Sequence, residues 1–223
     1  MSLKICADNP VSLAAYAEAG HAADRPVNVL IECDTGRKRA GVETPGEAVA
    51  LAKMVRDDSW LQFGGLLFYP PSDGWPATQQ FLDTAREGLA DLGLVPEIIS
   101  TGGTPNLVNL GRLEGATEHR AGTCIFNDRM MIAAGVAGID DCALKIFTSV
   151  VSRGGDKRGI LDAGSKTFTS DTGGLDGFGL ILEHPEARIH NMAEEHGFLD
   201  LSDCDQPPAV GDILRVVPNH VCV

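Results

Sequence analysis

The sequence predicts an α/β region followed by an all-β region. In the first half, short apolar stretches alternate with amphipathic stretches of helical length, a pattern typical of βα units around a parallel sheet. The run Val27–Cys33 is almost continuously apolar, as in a strand buried on both faces of such a sheet. From about Asp141 onwards, strand-like segments alternate with Gly, Asp and Pro turns. We therefore expect a βα domain over residues 1–138, with its sheet open or closed into a barrel, and an antiparallel β domain over residues 139–223.

Capping patterns mark the helix starts of the first half. Asp8-Asn9-Pro10 predicts a helix that continues to Ala23, and Thr44-Pro45-Gly46-Glu47 is a capping box that begins a helix ending near Asp57. The remaining elements follow at similar spacing. They are strands at 3–6, 63–69 and 98–100, a helix at 76–92, and a further strand after Arg120.

Composition limits the classes of function. With 223 residues, 43% of them hydrophobic and 22% charged, the chain is typical of a soluble globular protein. A net charge of −13 without any basic block argues against binding to nucleic acid or to an anionic membrane. The sequence contains neither a signal peptide nor a run of about 18 apolar residues, so we expect a cytoplasmic protein. Its six cysteines lack CxxC spacing and are expected to be reduced thiols.

Two Gly-Thr turns form the first candidate site. Gly102 and Gly103 follow an apolar strand and permit a positive φ and close approach to a ligand. Thr104 is placed as a helix N-cap with Pro105 as the first helical residue, and a helix N-terminus suits a phosphate group. A second pair, Gly122-Thr123, meets the next short strand. The two turns either hold one phosphate together or are ordinary βα turns.

His220 and Cys222 form the second candidate site. Residues i and i+2 of a strand point to one face, so a strand that continued through this pair would let both side chains reach one metal ion. Imidazole and thiolate together suit zinc. By itself, such a pair is more often a structural histidine and a buried cysteine.

Seven segments together resemble one enzyme family. They are IECDTGRKRAGV, FYPP, STGGTP, EHRAGT, LDAGSKT, EEHG and PNHVC, in this order along nearly the whole chain. They are similar to the D-threonine aldolase and D-serine dehydratase family of fold-type III pyridoxal-phosphate enzymes. The resemblance implies that residues 1–138 are part of an alanine-racemase-like (β/α)8 barrel, and that residues 139–223 are a D-serine-dehydratase-like β domain.

The resemblance also implies roles for single residues. Arg39 corresponds to an arginine that reaches the phenolic oxygen of pyridoxal phosphate, although without the resemblance it is better explained as a solvated loop arginine. Tyr69 corresponds to a tyrosine that packs near the cofactor. The phosphate cradle corresponds to Thr101, Gly102, Gly103, Thr104, Gly122 and Thr123. His220 and Cys222 correspond to the ligands of a divalent metal, zinc or manganese.

The implied reaction is a lyase reaction on a small D-β-hydroxy amino acid. The outcome is aldol cleavage or dehydration, and cysteine at position 222 leans slightly towards dehydration. An amino-acid racemase of the same fold and a non-catalytic fragment are the alternatives. The full-length form is expected to be a homodimer that binds neither nucleic acid nor a membrane.

No position of the chain matches the family's cofactor lysine. In the family this lysine lies on a strand that precedes the segment matching Leu3, so we assign no catalytic lysine. Lys166, in LDAGSKT, is interpreted as structural. We accordingly expect the 223 residues to be a fragment that is inactive alone.

Overall fold

The computed structural model describes residues 3–222. The chain divides into two compact units, Met1–Ala121 and Gly122–Val223. Residues 122–138, which the sequence assigns to the βα domain, fold within the second unit. There the backbone N–H groups of Arg129 and Met130 donate to the carbonyl oxygens of Pro218 and Asn219, both at 3.1 Å.

The first unit is a sheet of five parallel strands in sequence order. The strands are β1 (Lys4–Ala7), β2 (Val27–Cys33), β3 (Leu61–Phe68), β4 (Ile98–Gly102) and β5 (Glu118–Arg120). Three α-helices connect the first four strands: α1 (Pro10–Ala22), α2 (Pro45–Asp57) and α3 (Trp75–Asp91). A 3₁₀ helix, Thr104–Arg112, lies between β4 and β5. The predicted βα repeats are thus confirmed, but the strand expected after Arg120 is wrong, because β5 ends at Arg120 and the 3₁₀ helix Thr123–Ile125 follows it.

The predicted helix caps are also confirmed. The Asn9 side-chain oxygen accepts the backbone N–H of Ser12 at 2.9 Å at the start of α1. At the start of α2, the Thr44 hydroxyl accepts the Glu47 N–H, and the Glu47 carboxylate accepts the Thr44 N–H. Each cap satisfies helix N–H groups that have no partner within the helix, so the local sequence defines where each helix begins.

The core of the first unit lies between the sheet and its helices. Val29 and Ile31, alternate residues of β2, are fully buried there with Phe68 of β3. Helices α2 and α3 contribute Ala52 and Leu82, which are also fully buried. Alternation along β2 turns its other residues, including Glu32, to the opposite face of the sheet.

The second unit is an antiparallel sheet with strand order β8-β11-β6-β7-β10-β9. The strands are β6 (Ile146–Arg153), β7 (Arg158–Leu161), β8 (Leu180–Ile181), β9 (Arg188–Met192), β10 (Gly197–Asp200) and β11 (Ile213–Val217). Helix α4 (Arg129–Ala133) precedes them. Between residues 142 and 222 the structure contains strands and turns but no helix, as the sequence predicted.

The helices of residues 3–222 are all too short or too polar to cross a membrane.

A hydrogen-bonded carboxylate fixes the loop after β2, which carries Arg39. The Asp8 carboxylate, directly after β1, accepts the Gly41 N–H at 3.0 Å and the Asn9 side-chain N–H at 2.7 Å. Gly41 has a φ of +113°, and a Cβ there would lie 2.6 Å from the backbone nitrogen of Asp34. The hydrogen bond from Gly41 to Asp8 and the close packing of Gly41 on Asp34 hold the far end of the loop against the ends of β1 and β2.

Replacement of Asp8 should make the free energy of unfolding less dependent on pH in the acidic range. The Asn9 amide and the Gly41 N–H lower the pKa of the Asp8 carboxyl from its usual value. Its contribution is therefore fully present above the unfolded pKa of about 3.9 and is lost as the pH falls through the folded value. We expect Asp8→Asn to cost about 1 kcal/mol at pH 7, with a smaller difference from the wild type at about pH 3. Urea unfolding at both pH values measures this.

The matched control is Glu87→Gln, which removes an exposed carboxylate from α3. It should change stability by less than about 0.5 kcal/mol at pH 7. An Asp8→Asn variant as stable as this control at pH 7 would contradict the role of Asp8 in holding the loop.

Candidate functional site

Three of the predicted site segments lie at one edge of the parallel sheet. The Arg39 loop follows β2, Tyr69 follows β3, and Gly103 follows β4. Because β2, β3 and β4 pair in parallel, their carboxyl ends meet at the same edge. The sheet therefore brings these segments together, although they are far apart in sequence.

Two arginines of the loop stack on Tyr69. The guanidinium carbons of Arg37 and Arg39 lie 4.5 Å and 4.8 Å from the centroid of the Tyr69 ring. These distances are typical of cation–π contacts. Arg37 also donates to the Tyr69 hydroxyl at 3.4 Å, and Arg39 lies 3.8 Å from the Glu32 carboxylate. The structure thus surrounds an aromatic ring with positive charge.

The glycine turn lies directly against the same tyrosine. Gly103 has a φ of +100°, as the sequence predicted, and a Cβ there would lie 2.5 Å from Cε2 of Tyr69. A Cβ on Gly102 would lie 3.3 Å from Cδ2 of Tyr69 and 2.8 Å from a guanidinium nitrogen of Arg120. The turn requires glycine at Gly103 both for its backbone conformation and for this packing.

The predicted N-cap role of Thr104 is wrong. Gly103 occupies the cap position, Thr104 begins a 3₁₀ helix rather than an α-helix, and no side chain caps it. Asn106 instead holds the turn, because its amide donates to the carbonyl oxygens of Pro70 at 3.1 Å and Gly102 at 3.2 Å. The Thr104 hydroxyl is buried and has no hydrogen-bond partner among residues 3–222. A buried polar group without a partner is unusual, and a ligand that binds at the turn would supply one.

His119 is a site residue that the sequence analysis missed. Its Nε2 donates to the Gly103 carbonyl oxygen at 3.1 Å, and its Nδ1 lies 2.8 Å from the Thr101 hydroxyl. A neutral imidazole that donates through Nε2 accepts through Nδ1, so the Thr101 hydroxyl is the donor in that contact. Strand pairing places His119 opposite Thr101, a register that single-strand patterns do not contain.

Arg120 is a second missed residue. Its guanidinium donates to the Ser100 hydroxyl and, at 3.0 Å, to the Phe68 carbonyl oxygen. Loss of water around the guanidinium, helped by the nearby charge of Arg39, lowers the pKa of Arg120, whereas Cys6, Glu118 and Glu32 oppose that shift. The arginine lies at a strand end in the segment EHRAGT, and that position could have identified it as a candidate site residue.

The strand-end residues fit an anionic aromatic cofactor. Arg37, Arg39 and Arg120 gather around one tyrosine and one glycine turn in a chain whose net charge is −13. Backbone and hydroxyl donors at a glycine turn suit a phosphate group. Pyridoxal phosphate, the cofactor implied by the sequence, carries both an aromatic ring and a phosphate.

The second predicted turn belongs to the other compact unit. Gly122 has a φ of −117° and precedes the 3₁₀ helix Thr123–Ile125. Its contribution and that of Thr123 to a phosphate cradle stay a prediction.

The strand expected to carry the His220–Cys222 pair ends early. β11 stops at Val217, and bends occur at Asn219 and Val221, so strand alternation does not place the pair on one face. The physical reason is that a side-chain carboxylate, and not a neighbouring strand, accepts the backbone N–H of this segment. The buried carboxylate of Asp128 accepts the Val221 N–H at 3.1 Å and lies 2.9 Å from Nδ1 of His220.

The pair keeps a donor set suitable for a metal ion. Within the described part of the chain, nothing hydrogen-bonds Nε2 of His220, and the Cys222 thiol is exposed and lies 3.4 Å from the Thr123 hydroxyl. Residues 3–222 contain no group of three or more His, Cys, Asp or Glu side chains arranged to hold a metal. A site here would therefore rest on two protein ligands, which leaves other coordination positions for water or substrate.

Lys166 lies elsewhere in the second unit. Its ammonium is exposed and forms an ion pair with Glu195 at 2.8 Å. Such a contact is ordinary for a surface lysine, in keeping with its structural interpretation.

Comparison with protein families gives two matches along the chain. Residues 1–130 match the family described as alanine racemase, N-terminal domain, and residues 143–223 match the putative serine dehydratase domain. The first match covers more than half of the chain.

Similar proteins include D-β-hydroxy amino acid lyases. A D-threo-3-hydroxyaspartate dehydratase of Delftia sp. (strain HT23) is 29% identical over 99% of this chain and 66% of its own length. A D-threonine aldolase of Arthrobacter sp. is 28% identical over 98% of this chain and 60% of its own. The chain thus spans less than two thirds of the length of these relatives.

Solved structures agree with these matches. The Delftia dehydratase superposes with a TM-score of 0.83 at 28% identity, covering 98% of this chain and 65% of that chain. The D-threonine aldolase of Filomicrobium marinum gives 0.84 at 25% identity, covering 97% and 62%. The predicted alanine-racemase-like barrel with a β domain is thereby confirmed as the fold class.

Two further structures are variants of a D-threo-3-hydroxyaspartate dehydratase. One is a histidine-to-alanine variant (TM-score 0.84, 27% identity, covering 98% and 64%). The other is a cysteine-to-alanine variant in a metal-free form (0.80, 27%, covering 98% and 65%), and one residue separates the two substituted positions. From the domain matches, the sequence identities and the shared architecture, this chain belongs to the alanine-racemase-like family of D-threonine aldolases and D-serine dehydratases.

Proposed function

We propose that this chain is the greater part of a lyase that uses pyridoxal phosphate and a divalent metal to act on D-β-hydroxy amino acids. One observation carries the proposal: three arginines, a tyrosine and a glycine turn meet at the carboxyl ends of parallel strands. In alanine-racemase-like barrels, as in other βα barrels, active sites lie at this end of the strands. The lyases among the similar proteins support the class of reaction.

The strand-end residues would hold pyridoxal phosphate by charge and by close backbone approach. In this proposal Arg39 would contact the phenolic oxygen, and the turn Thr101–Thr104 would contact the phosphate. Tyr69 presents its ring beside both. When bound, pyridoxal phosphate withdraws electrons from the amino-acid carbon that loses a bond.

Within this arrangement, His119 and Asn106 both hold the turn in shape. The His119 Nε2–H donates to the Gly103 carbonyl oxygen, and its Nδ1 accepts a hydrogen bond from the Thr101 hydroxyl. The Thr101 hydroxyl proton is then engaged by His119, so this hydroxyl can accept a hydrogen bond but cannot donate one to a phosphate oxygen. The Gly103 N–H already donates to the Arg120 carbonyl oxygen at 2.9 Å. Phosphate contacts would therefore fall to other backbone N–H groups of the turn and to the Thr104 hydroxyl, which has no other partner among the described residues.

His220 and Cys222 would hold the metal through Nε2 and the thiolate. The spacing of the substituted histidine and cysteine in the two dehydratase variants supports this assignment. Zinc or manganese bound there would act as a Lewis acid on the substrate's β-hydroxyl. Thiolate favours zinc over harder cations, and cysteine at this position leans slightly towards dehydration.

A racemase is the second candidate, because the larger domain match is to alanine racemase. A racemase needs no ligand for a β-hydroxyl, so the His220–Cys222 pair would have no role in it. We also propose that the whole protein is a homodimer and is cytoplasmic.

Product analysis separates these reactions. The chain is supplied with pyridoxal phosphate and zinc or manganese and incubated with D-threonine, D-serine and D-threo-3-hydroxyaspartate. Longer forms of the protein are assayed in the same way. Glycine plus an aldehyde identifies an aldolase, and a keto acid plus ammonia identifies a dehydratase. The 223 residues alone are expected to give neither, because none of their positions matches the cofactor lysine. Racemisation of alanine without either lyase product in any form would overturn the proposal.

Gly103→Ala should weaken binding of pyridoxal phosphate. The new Cβ would force the Tyr69 ring away and strain a backbone at φ +100°. We expect at least about a tenfold loss of affinity, equivalent to about 1.4 kcal/mol, in a fluorescence titration. The control is Gly111→Ala in the following 3₁₀ helix, where a Cβ meets nothing within 4 Å. Equal affinities for both variants would show that the turn does not hold the phosphate.

Cys222→Ser should weaken metal binding and leave cofactor binding unchanged. The thiolate would be lost as a ligand, so we expect zinc affinity to fall at least about tenfold in a competition titration. Cys124→Ser, which removes another exposed thiol of the same unit, is the control and should not change zinc affinity. If Cys222→Ser lost cofactor absorbance but kept its zinc affinity, the assignment of this residue to the metal site would be wrong.

A further inference from the structure

Asp128 joins helix α4 to the segment that carries His220 and Cys222. Its side chain is fully buried. One carboxylate oxygen accepts the Met131 N–H at 2.9 Å and so caps α4. The other accepts the Val221 N–H at 3.1 Å and contacts Nδ1 of His220 at 2.9 Å.

The direction of the contact with His220 follows from the chemistry of the two groups. An ionised carboxylate only accepts hydrogen bonds, and both Asp128 oxygens already accept backbone N–H groups. The proton in the contact therefore belongs to Nδ1 of His220. In a neutral imidazole this leaves Nε2 unprotonated, which is the state that a metal ligand requires.

Regular strand pairing does not position this segment, because β11 ends at Val217. The start of α4 positions it instead. Arg129 and Met130 donate backbone N–H groups to the carbonyl oxygens of Pro218 and Asn219, both at 3.1 Å. The Arg129 guanidinium also donates to the Asn219 side-chain oxygen at 3.2 Å. Asp128 is the member of this contact set that reaches the imidazole itself.

We propose that Asp128 is a positioning residue for the metal site, which fixes the His220 ring in the Nδ1–H tautomer and presents Nε2 to the ion. The inference rests on the proposed metal-binding function of His220 and Cys222. A carboxylate behind a metal-bound imidazole also raises its basicity, and loss of such a partner typically costs about 10- to 100-fold in metal affinity. A purely structural role, as the cap of α4, predicts a change in stability only.

Asp128→Asn is the test, with Asp162→Asn as the control. Asp162 is an aspartate of the same unit whose carboxylate accepts the Ser149 N–H at 2.8 Å and the Thr148 hydroxyl at 2.7 Å. Two quantities are measured on the full 223-residue chain. The first is the His220 tautomer in metal-free protein, from ¹⁵N chemical shifts at fixed neutral pH with His220→Gln for assignment. The second is zinc affinity by competition titration.

We expect the Nδ1–H tautomer in the wild type and in Asp162→Asn. Asp128→Asn should lose that tautomer and bind zinc about 10- to 100-fold more weakly, whereas Asp162→Asn should retain wild-type affinity. A wild-type ring protonated on Nε2 would overturn the inference even if Asp128→Asn did not fold. Wild-type zinc affinity in a folded Asp128→Asn would overturn it while leaving the metal site in place. A wild-type chain with the expected tautomer but without zinc binding would defeat the proposed metal function, and the inference with it.

Discussion

Parallel pairing of β2, β3 and β4 is the constraint on which the strand-end site depends. Neighbouring strands that run in the same direction bring their following turns to one edge, so Tyr69 and Gly103 meet although β4 and a long helix separate them in sequence. The pairing is close because Gly65 has a φ of +142°, and a Cβ there would overlap the Ile98 carbonyl oxygen. A larger residue would push β3 and β4 apart and separate the tyrosine from the turn.

Charge gives this edge its chemical character. The chain as a whole is strongly acidic, yet three arginine side chains approach the same tyrosine and glycine turn. Arg120 has lost part of its hydration, and its nearby acidic residues only partly offset that loss. A partly desolvated cation gains more from an anion than a fully hydrated one does. The electrostatics of the edge therefore favour an anionic ligand independently of any family resemblance.

The sequence predicted what depends on neighbouring residues and missed what depends on distant ones. The caps at Asn9 and Thr44 were predictable because each satisfies N–H groups within three residues. Thr104 has the same local pattern, but Asn106 bonds to Pro70 across the site and a 3₁₀ helix forms instead. His119 was missed because its role comes from its register opposite a residue of another strand. The proposed metal pair, His220 and Cys222, came from the resemblance to a family, because its spacing alone did not indicate a metal site.

The departure of the His220 segment from strand geometry suits a site with few protein ligands. A strand would direct both side chains to one face but would leave the imidazole free to rotate about its own bonds. A bend whose backbone N–H and imidazole bind one buried carboxylate restrains the ring as well as the chain. At Cys222 the Thr123 hydroxyl lies within 3.4 Å of the sulfur and restrains the thiol in a similar way. In the proposed metal site only two side chains would hold the ion, so the orientation of each would contribute more to its affinity, and the buried carboxylate would contribute by fixing one of them.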